Sequence, residues 1–94
     1  MSAYLIGNIS VKNADKWAEY RRQVPATLDP WGGKVVLRGQ RATVLAGEHN
    51  YTDTVVIQFA DQNAIRGWYD SPDYQGLIPL RTEAAEIVLI TYDE

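Results

Sequence analysis

The sequence contains no cysteine, one histidine, one methionine and one phenylalanine in 94 residues. Without cysteine there is no disulfide to stiffen a small fold and no thiolate metal site. One histidine is too few for a His-rich metal centre. Charge of one sign is scarce as well. Nine Lys plus Arg stand against 12 Asp plus Glu, a net of -3, so neither nucleic acid nor an anionic membrane is indicated as a partner. No apolar run approaches the roughly 18 residues needed to span a bilayer. The start of the chain, Met1 to Asn8, lacks the basic and apolar segments of a secretory leader. There is no Gly-x-Gly-x-x-Gly, no Walker loop and no serine-centred nucleophile elbow, which argues against dinucleotide, nucleotide and serine-dependent chemistry. The composition that remains, 46% hydrophobic, is that of one globular domain over residues 1–94, expected in the cytoplasm. A chain this short buries only about 60–65% of its unfolded surface.

Periodicity divides the chain into alternating strands and helices. Residues 3–11 alternate as a strand, with Leu5, Ile9 and Val11 on one face and Tyr4, Ile6, Asn8 and Ser10 on the other. Asn13 is placed to cap a helix whose apolar positions are Trp17, Tyr20, Val24 and Leu28, with Glu19, Arg21, Arg22 and Gln23 on the solvated side. Pro25 predicts a kink or break in that helix, and the segment from Asp29 to Gly33 predicts its end. Residues 34–38 form a second strand, with a bulge or bend expected at Gly39. Thr43 to Ala46 continues extended, and Gly47-Glu48-His49-Asn50 makes the tip of a long hairpin. Thr54 to Phe59 is the third strand. Asp61 caps a short helix over residues 62–70, where Gly67 predicts a close backbone approach or an early end. Ser71-Pro72 opens another one or two helical turns that Pro79 limits. Residues 80–85 read as turn-rich or weakly helical, and Ile87 to Tyr92 is the last strand.

The order strand, helix, strand, strand, helix, strand predicts a ferredoxin-like α+β sandwich, a four-stranded antiparallel sheet with both helices on one face. The other face should then be polar, and it is not. Leu5 and Ile6, Val35 and Val36, Val56 and Ile57, and Leu89 and Ile90 put apolar side chains on both sides of every strand. A bare apolar face of several hundred Å² is more than soluble monomers usually show. The expected cover is the same face of a second copy, giving a homodimer paired sheet to sheet. The alternative is that residues 71–85 fold beneath the sheet.

The residues also carry a resemblance. Gly32-Gly33-Lys34, Arg38-Gly39, Val56-Ile57-Gln58-Phe59, Trp68-Tyr69-Asp70-Ser71-Pro72-Asp73-Tyr74-Gln75 and Leu80-Arg81 occur in an order that resembles the "domain of unknown function 1330" family over essentially the whole chain. The string from Trp68 to Gln75 is the most specific of these. Members often carry a second glycine after Arg-Gly, where this chain has Gln40. The resemblance implies membership of the dimeric α+β barrel superfamily. That superfamily spans cofactor-free monooxygenases of aromatic polyketides, muconolactone-type isomerases, haem-binding peroxidase-like enzymes and members with no known chemistry, so fold alone does not name a reaction.

Arg38 ends an apolar strand and offers a fixed, forked cation to a carboxylate or enolate. The competing expectation is an ion pair with Glu48 or Asp53. Tyr20, Tyr69 and Tyr74 can line an apolar cleft between sheet and helices while offering a hydroxyl. Trp68 belongs with them, although its spacing from Ala64 and Ile65 also fits core. Asn8 and Gln58 are amides inside apolar strands and need partners: each other, water or a ligand. Arg38, Tyr74 and His49 are thus the candidate catalytic residues, and Arg38, Tyr20, Tyr69, Tyr74, Trp68 and Asn8 the candidate ligand-binding residues. His49 can carry a proton or ligate a haem, but its turn setting favours an exposed tip. Glu83 and Glu86 read as a solvated pair, not a metal or glycosidase site. No metal or organic cofactor is indicated. Two functions remain: a cofactor-free, monooxygenase- or isomerase-like enzyme acting on a small aromatic or enolisable acid, and a non-catalytic dimeric binding or stress-related module.

Overall fold

The computed structural model describes residues 2–94. Its central strand is β1, Ala3–Val11, which pairs antiparallel with β3, Asp53–Phe59, on one side and β4, Ala85–Asp93, on the other. The fourth strand, β2, Lys34–Gln40, lies outside β3, giving the order β2-β3-β1-β4. This is the ferredoxin-like α+β fold that the order of elements predicts. Helices cover one face only. On that face Ala3, Leu5, Ile9, Val55, Ile57 and Phe59 are all buried.

The long helix α1, Ala14–Leu28, starts where the Asn13 side chain accepts a hydrogen bond from the Lys16 N–H at 3.0 Å. It runs through Pro25 to Leu28 without the expected break. Pro25 and Arg21 are exposed, so the carbonyl that loses its partner faces water, and the remaining turn is anchored by buried Val24, Thr27 and Leu28. A 3₁₀ turn, Asp29–Trp31, and a left-handed Gly32 at φ 70° then deliver the chain to β2.

The irregularity in β2 is not at Gly39, which sits in regular register opposite Thr54. It lies between Val35 and Leu37, leaving Val36 as the extra residue. An extra residue reverses the alternation beyond it. Val35 pairs with Ile57, and after the bulge Leu37 pairs with Val56 and Arg38 with Val55. Arg38 therefore points to the helix side. The ladder ends at Gln40–Asp53, so Thr43 to Ala46 does not extend the strand. Residues 41–52 form a loop tied at its base by the Arg41 side chain, which donates to the His49 carbonyl at 2.6 Å. Leu45 in that loop is 94% exposed.

Helix α2, Gln62–Asp70, is capped by Asp61, whose carboxylate accepts from the Ala64 N–H at 2.8 Å. Gly67 makes the expected close approach: the Trp31 ring occupies the space a Cβ would need. Ser71 caps the short α3, Pro72–Gln75. Pro79 does not limit a helix but stands in the first turn of another, α4, Ile78–Ala84. At that position a missing N–H costs nothing, so residues 80–84 are more regular than expected. Segment 72–84 does not fold beneath the sheet. It packs beside α1, where the Lys12 and Asn13 N–H groups both donate to the Ala84 carbonyl and Lys16 pairs with Glu83 at 2.8 Å.

The second sheet face is left uncovered. It presents Leu37, Val88, Ile90 and Tyr92, all at least 38% exposed, around half-buried Tyr4, Ile6 and Val56. Among the described residues no helix is long and apolar enough to cross a membrane.

Two glycines test this packing with opposite signs. A Cβ at Gly33 would stand 2.9 Å from both Leu28 and Phe59, which are buried, whereas one at Gly39 meets nothing within 4 Å. Gly33→Ala is expected to lower the unfolding free energy by about 1–3 kcal/mol, and Gly39→Ala to leave it within about 0.5 kcal/mol. Urea titration of both variants checks this.

Candidate active site

An aromatic layer under the helices forms the roof of the candidate site. The Ser71 hydroxyl donates to the Trp68 carbonyl at 2.7 Å and accepts from the Tyr74 N–H at 3.2 Å. This tight turn carries Tyr74 inward until it is fully buried, with its ring 4.1 Å from that of Trp68. From α1, Trp17 and Tyr20 stack at 5.2 Å. Trp68 is core, as its spacing allowed: it is 1% exposed, and its indole N–H donates to Thr27 Oγ1 at 3.0 Å. Tyr69 is half-buried against Trp68 and Tyr74 but borders a different cleft, beside α2.

The hydroxyls of Tyr20 and Tyr74 lie 2.8 Å apart, and Arg81 of α4 donates to the Tyr74 hydroxyl at 2.9 Å. Two O–H protons meet here. One is used between the phenols, so one remains free to donate elsewhere. Tyr20 borders the interior void and Tyr74 does not, so the free proton is useful when Tyr74 donates to Tyr20 and Tyr20 donates into the void. Burial, reinforced by Tyr74, pushes the Tyr20 phenol well above the usual tyrosine range. It therefore stays protonated and serves as a donor. Burial, the largest single influence, would lower the Arg81 pKa, but the hydrogen bond and charge interaction with Tyr74, together with Tyr69 and Tyr20, raise it.

The void itself is about 30 Å³, room for one water. Its floor is the sheet at Leu5, Ile9, Val55 and Ile57. Toward β2 it shares Ile9, Trp17, Arg21 and Arg38 with an open cleft of about 290 Å³ that also reaches Gln40, Asp53 and Thr54. Partial burial, then the neighbouring Arg21, lowers the Arg38 pKa, with Tyr20 and Asp53 opposing. Among the described residues neither Arg38 nor Arg21 forms an ion pair; the pairs present are Lys16–Glu83, Arg22–Glu19 and Arg66–Asp70. The expected pairing of Arg38 with Glu48 or Asp53 is absent. Two guanidiniums without an ion pair therefore line an open, largely polar cleft that leads to a small apolar void bordered by the Tyr20 phenol.

The structure brings Arg38, Tyr20, Tyr74 and Trp68 together. It sets Asn8 apart, on the opposite sheet face, where the Thr54 hydroxyl donates to its side-chain oxygen at 3.3 Å. Asn8 and Gln58 do not bond to each other; the Gln58 amide donates to Ser2 Oγ at 2.9 Å. His49 lies in the 41–52 loop with its ring 5.7 Å from that of Tyr51 and borders neither the void nor the cleft. Glu83 pairs with Lys16, and Glu86 lies in β4. Among the described residues no three His, Asp or Glu side chains gather as a metal site. Sequence reasoning missed Trp17, Arg21, Asp53 and Arg81 as site residues. Arg21 stands one turn after Trp17, the available local signal that it flanks the apolar stripe; nothing local distinguishes Arg81.

The family model for "Domain of unknown function (DUF1330)" matches residues 2–93. The chain belongs to the DUF1330 family. No curated protein matches it. Among solved structures, this DUF1330 chain is similar to a protein of unknown function from Rhodopseudomonas palustris, at TM-score 0.85 and 19% identity, covering 99% of this chain and 82% of that one. A dimeric ferredoxin-like protein of unknown function from Jannaschia sp. superposes at TM-score 0.78 and 10% identity, with 100% of both chains covered. SnoaB, a cofactor-independent oxygenase from Streptomyces nogalater, superposes at TM-score 0.69 and 13% identity, covering 99% and 92%. At these identities the likeness is one of fold.

The Tyr20 environment has a pH signature. Its folded pKa lies above the unfolded value near 10, so its contribution is fully present below pH 10 and is lost as pH rises, because only the unfolded chain readily ionises there. Tyr20→Phe removes this linkage. Urea unfolding between pH 9 and pH 11 should show a shallower fall in stability for Tyr20→Phe than for the parent chain.

Proposed function

We propose that this DUF1330 protein is a homodimer whose cleft between α1 and β2–β3 binds a small aromatic or enolisable carboxylic acid and promotes its enolisation without an organic cofactor. The observation that carries this reading is the pair of guanidiniums without ion pairs, Arg38 and Arg21, in an open cleft that leads to an apolar void bordered by the Tyr20 phenol. The forked cations hold the carboxylate. Asp53, the carboxylate bordering the cleft, takes a proton from the carbon beside the substrate carbonyl. Charge then builds on the carbonyl oxygen, and Tyr20, a protonated donor backed by Tyr74 and Arg81, stabilises it. The proton returns from Asp53 to carbon to complete the turnover.

Phenylpyruvate, an aromatic keto acid, tests this directly. In D₂O the protein should accelerate exchange of its benzylic protons, read by proton NMR. Arg38→Ala is expected to weaken binding about 10-fold or more, and Tyr20→Phe to slow exchange about 100-fold with binding retained. The non-catalytic reading is favoured by the small interior void and by the absence, among the described residues, of any unpartnered buried side-chain polar atom. Arg38-dependent binding without exchange would establish it, and no binding at all would remove both.

The dimer is supported by the uncovered apolar face and by solved neighbours described as dimeric ferredoxin-like proteins from Jannaschia sp. and Thermobifida fusca. A second copy of the same face is the self-complementary cover. Ile90, opposite Ile6 in the register, stands at its middle. Sedimentation at micromolar concentration should show a dimer for the parent chain and a folded monomer for Ile90→Asp; a monomeric parent would refute the dimer.

A further inference from the structure

A second, larger cleft lies at the other end of the helix layer, between α2 and the β1–β4 edge. It measures about 450 Å³ and contains none of the residues assigned to the carboxylate cleft. Its floor is Leu5, Ile65 and Leu89 and its wall includes Tyr69. This floor is unusual in the fold. Leu89 and Ile87 face the helix side of the sheet, yet they remain half-buried while β1 and β3 residues on that side are buried. The helices leave an apolar gap over β4, in a concave shape suited to a small molecule.

The polar rim defines what fits. Asn63 and Thr91 border the cleft, and among the described residues neither side chain has a hydrogen-bond partner. Gln62 is held by Asp93, to which its amide donates at 2.8 Å. The one cation, Arg66, is paired with Asp70 at 3.7 Å. The rim thus offers a carboxamide and a hydroxyl, groups that both donate and accept, and no uncompensated charge. The carboxylate cleft offers the opposite: two free guanidiniums. We infer that the α2–β4 cleft is a second binding site, for a neutral planar aromatic carboxamide or lactam, with its ring over Leu5 and Leu89 beside Tyr69 and its amide paired with Asn63 and Thr91.

The two sites are not isolated. Leu5 and Leu89 also border the interior void that opens toward Arg38. An occupant of the second cleft rests on side chains that close the inner end of the first.

Benzamide and benzoate, which share shape and differ in charge, separate the two sites. In a nitrogen–proton correlation NMR titration at millimolar concentration, benzamide should shift the signals of Asn63, Tyr69, Leu89 and Thr91, and benzoate those around Arg38. Leu89→Trp fills the floor and should abolish the benzamide shifts; its signal dispersion reports whether it is folded. Asn63→Leu, at an exposed helix position, should weaken benzamide about 10-fold without threatening the fold. Arg38→Ala should leave benzamide binding intact. Benzamide shifts absent from this cleft, or unchanged in folded Leu89→Trp and in Asn63→Leu, would overturn the inference. Loss of benzoate binding in the parent chain would instead strike the carboxylate cleft and leave this one standing.

Discussion

One extra residue in β2 decides which side of the sheet carries Arg38. Without the bulge at Val36, strict alternation from Val35 would put Leu37 against the helices and Arg38 on the open face. With it, Leu37 joins the apolar outer surface and Arg38 turns toward Arg21, Trp17 and Tyr20. The same insertion therefore keeps a charge off the face that a second copy would cover and supplies the cleft with a cation. Both parts of the functional reading depend on it.

The interior is organised around hydroxyl groups as much as around area. Trp68, Tyr74 and Tyr20 bring polar tips into a buried layer, and each tip is answered: the indole by Thr27, Thr27 by the Val24 carbonyl, Tyr74 by Arg81 and Tyr20. A paired buried polar group specifies a geometry where an aliphatic one only fills space. Fixing these rings fixes the place of the Tyr20 hydroxyl at the wall of the interior void.

Much of the fold could be read along the chain because local signals and global demands agreed. Asn13, Asp61 and Ser71 each cap the helix that follows, and the Val55 to Phe59 run is the strand it resembles. The errors came where position relative to solvent mattered. Pro25 spares the helix because the carbonyl it orphans is exposed, and Pro79 begins a helix because its missing donor falls in the first turn. Gly39 looked like the irregular point, but a bulge needs an unpaired residue, not a glycine. The candidate site was half legible: Arg38, Tyr20, Tyr74 and Trp68 lie close together, whereas Asn8 lies on the other face. Arg81 joins the site across a long sequence separation, a contact no local pattern reveals.

The strand at the centre of the sheet is made before either of its two partners. β1 must wait for β3 and then for β4, and the Ala84 carbonyl that receives the Lys12 and Asn13 N–H groups arrives late as well. On the ribosome, the apolar residues of β1 remain without their full set of neighbours until β4 has emerged. Such long-range pairing makes the contact order high and folding comparatively slow. Synthesis therefore sets the earliest moment at which this sheet can close, and a nascent chain stalled before residue 85 would present its middle strand as an edge.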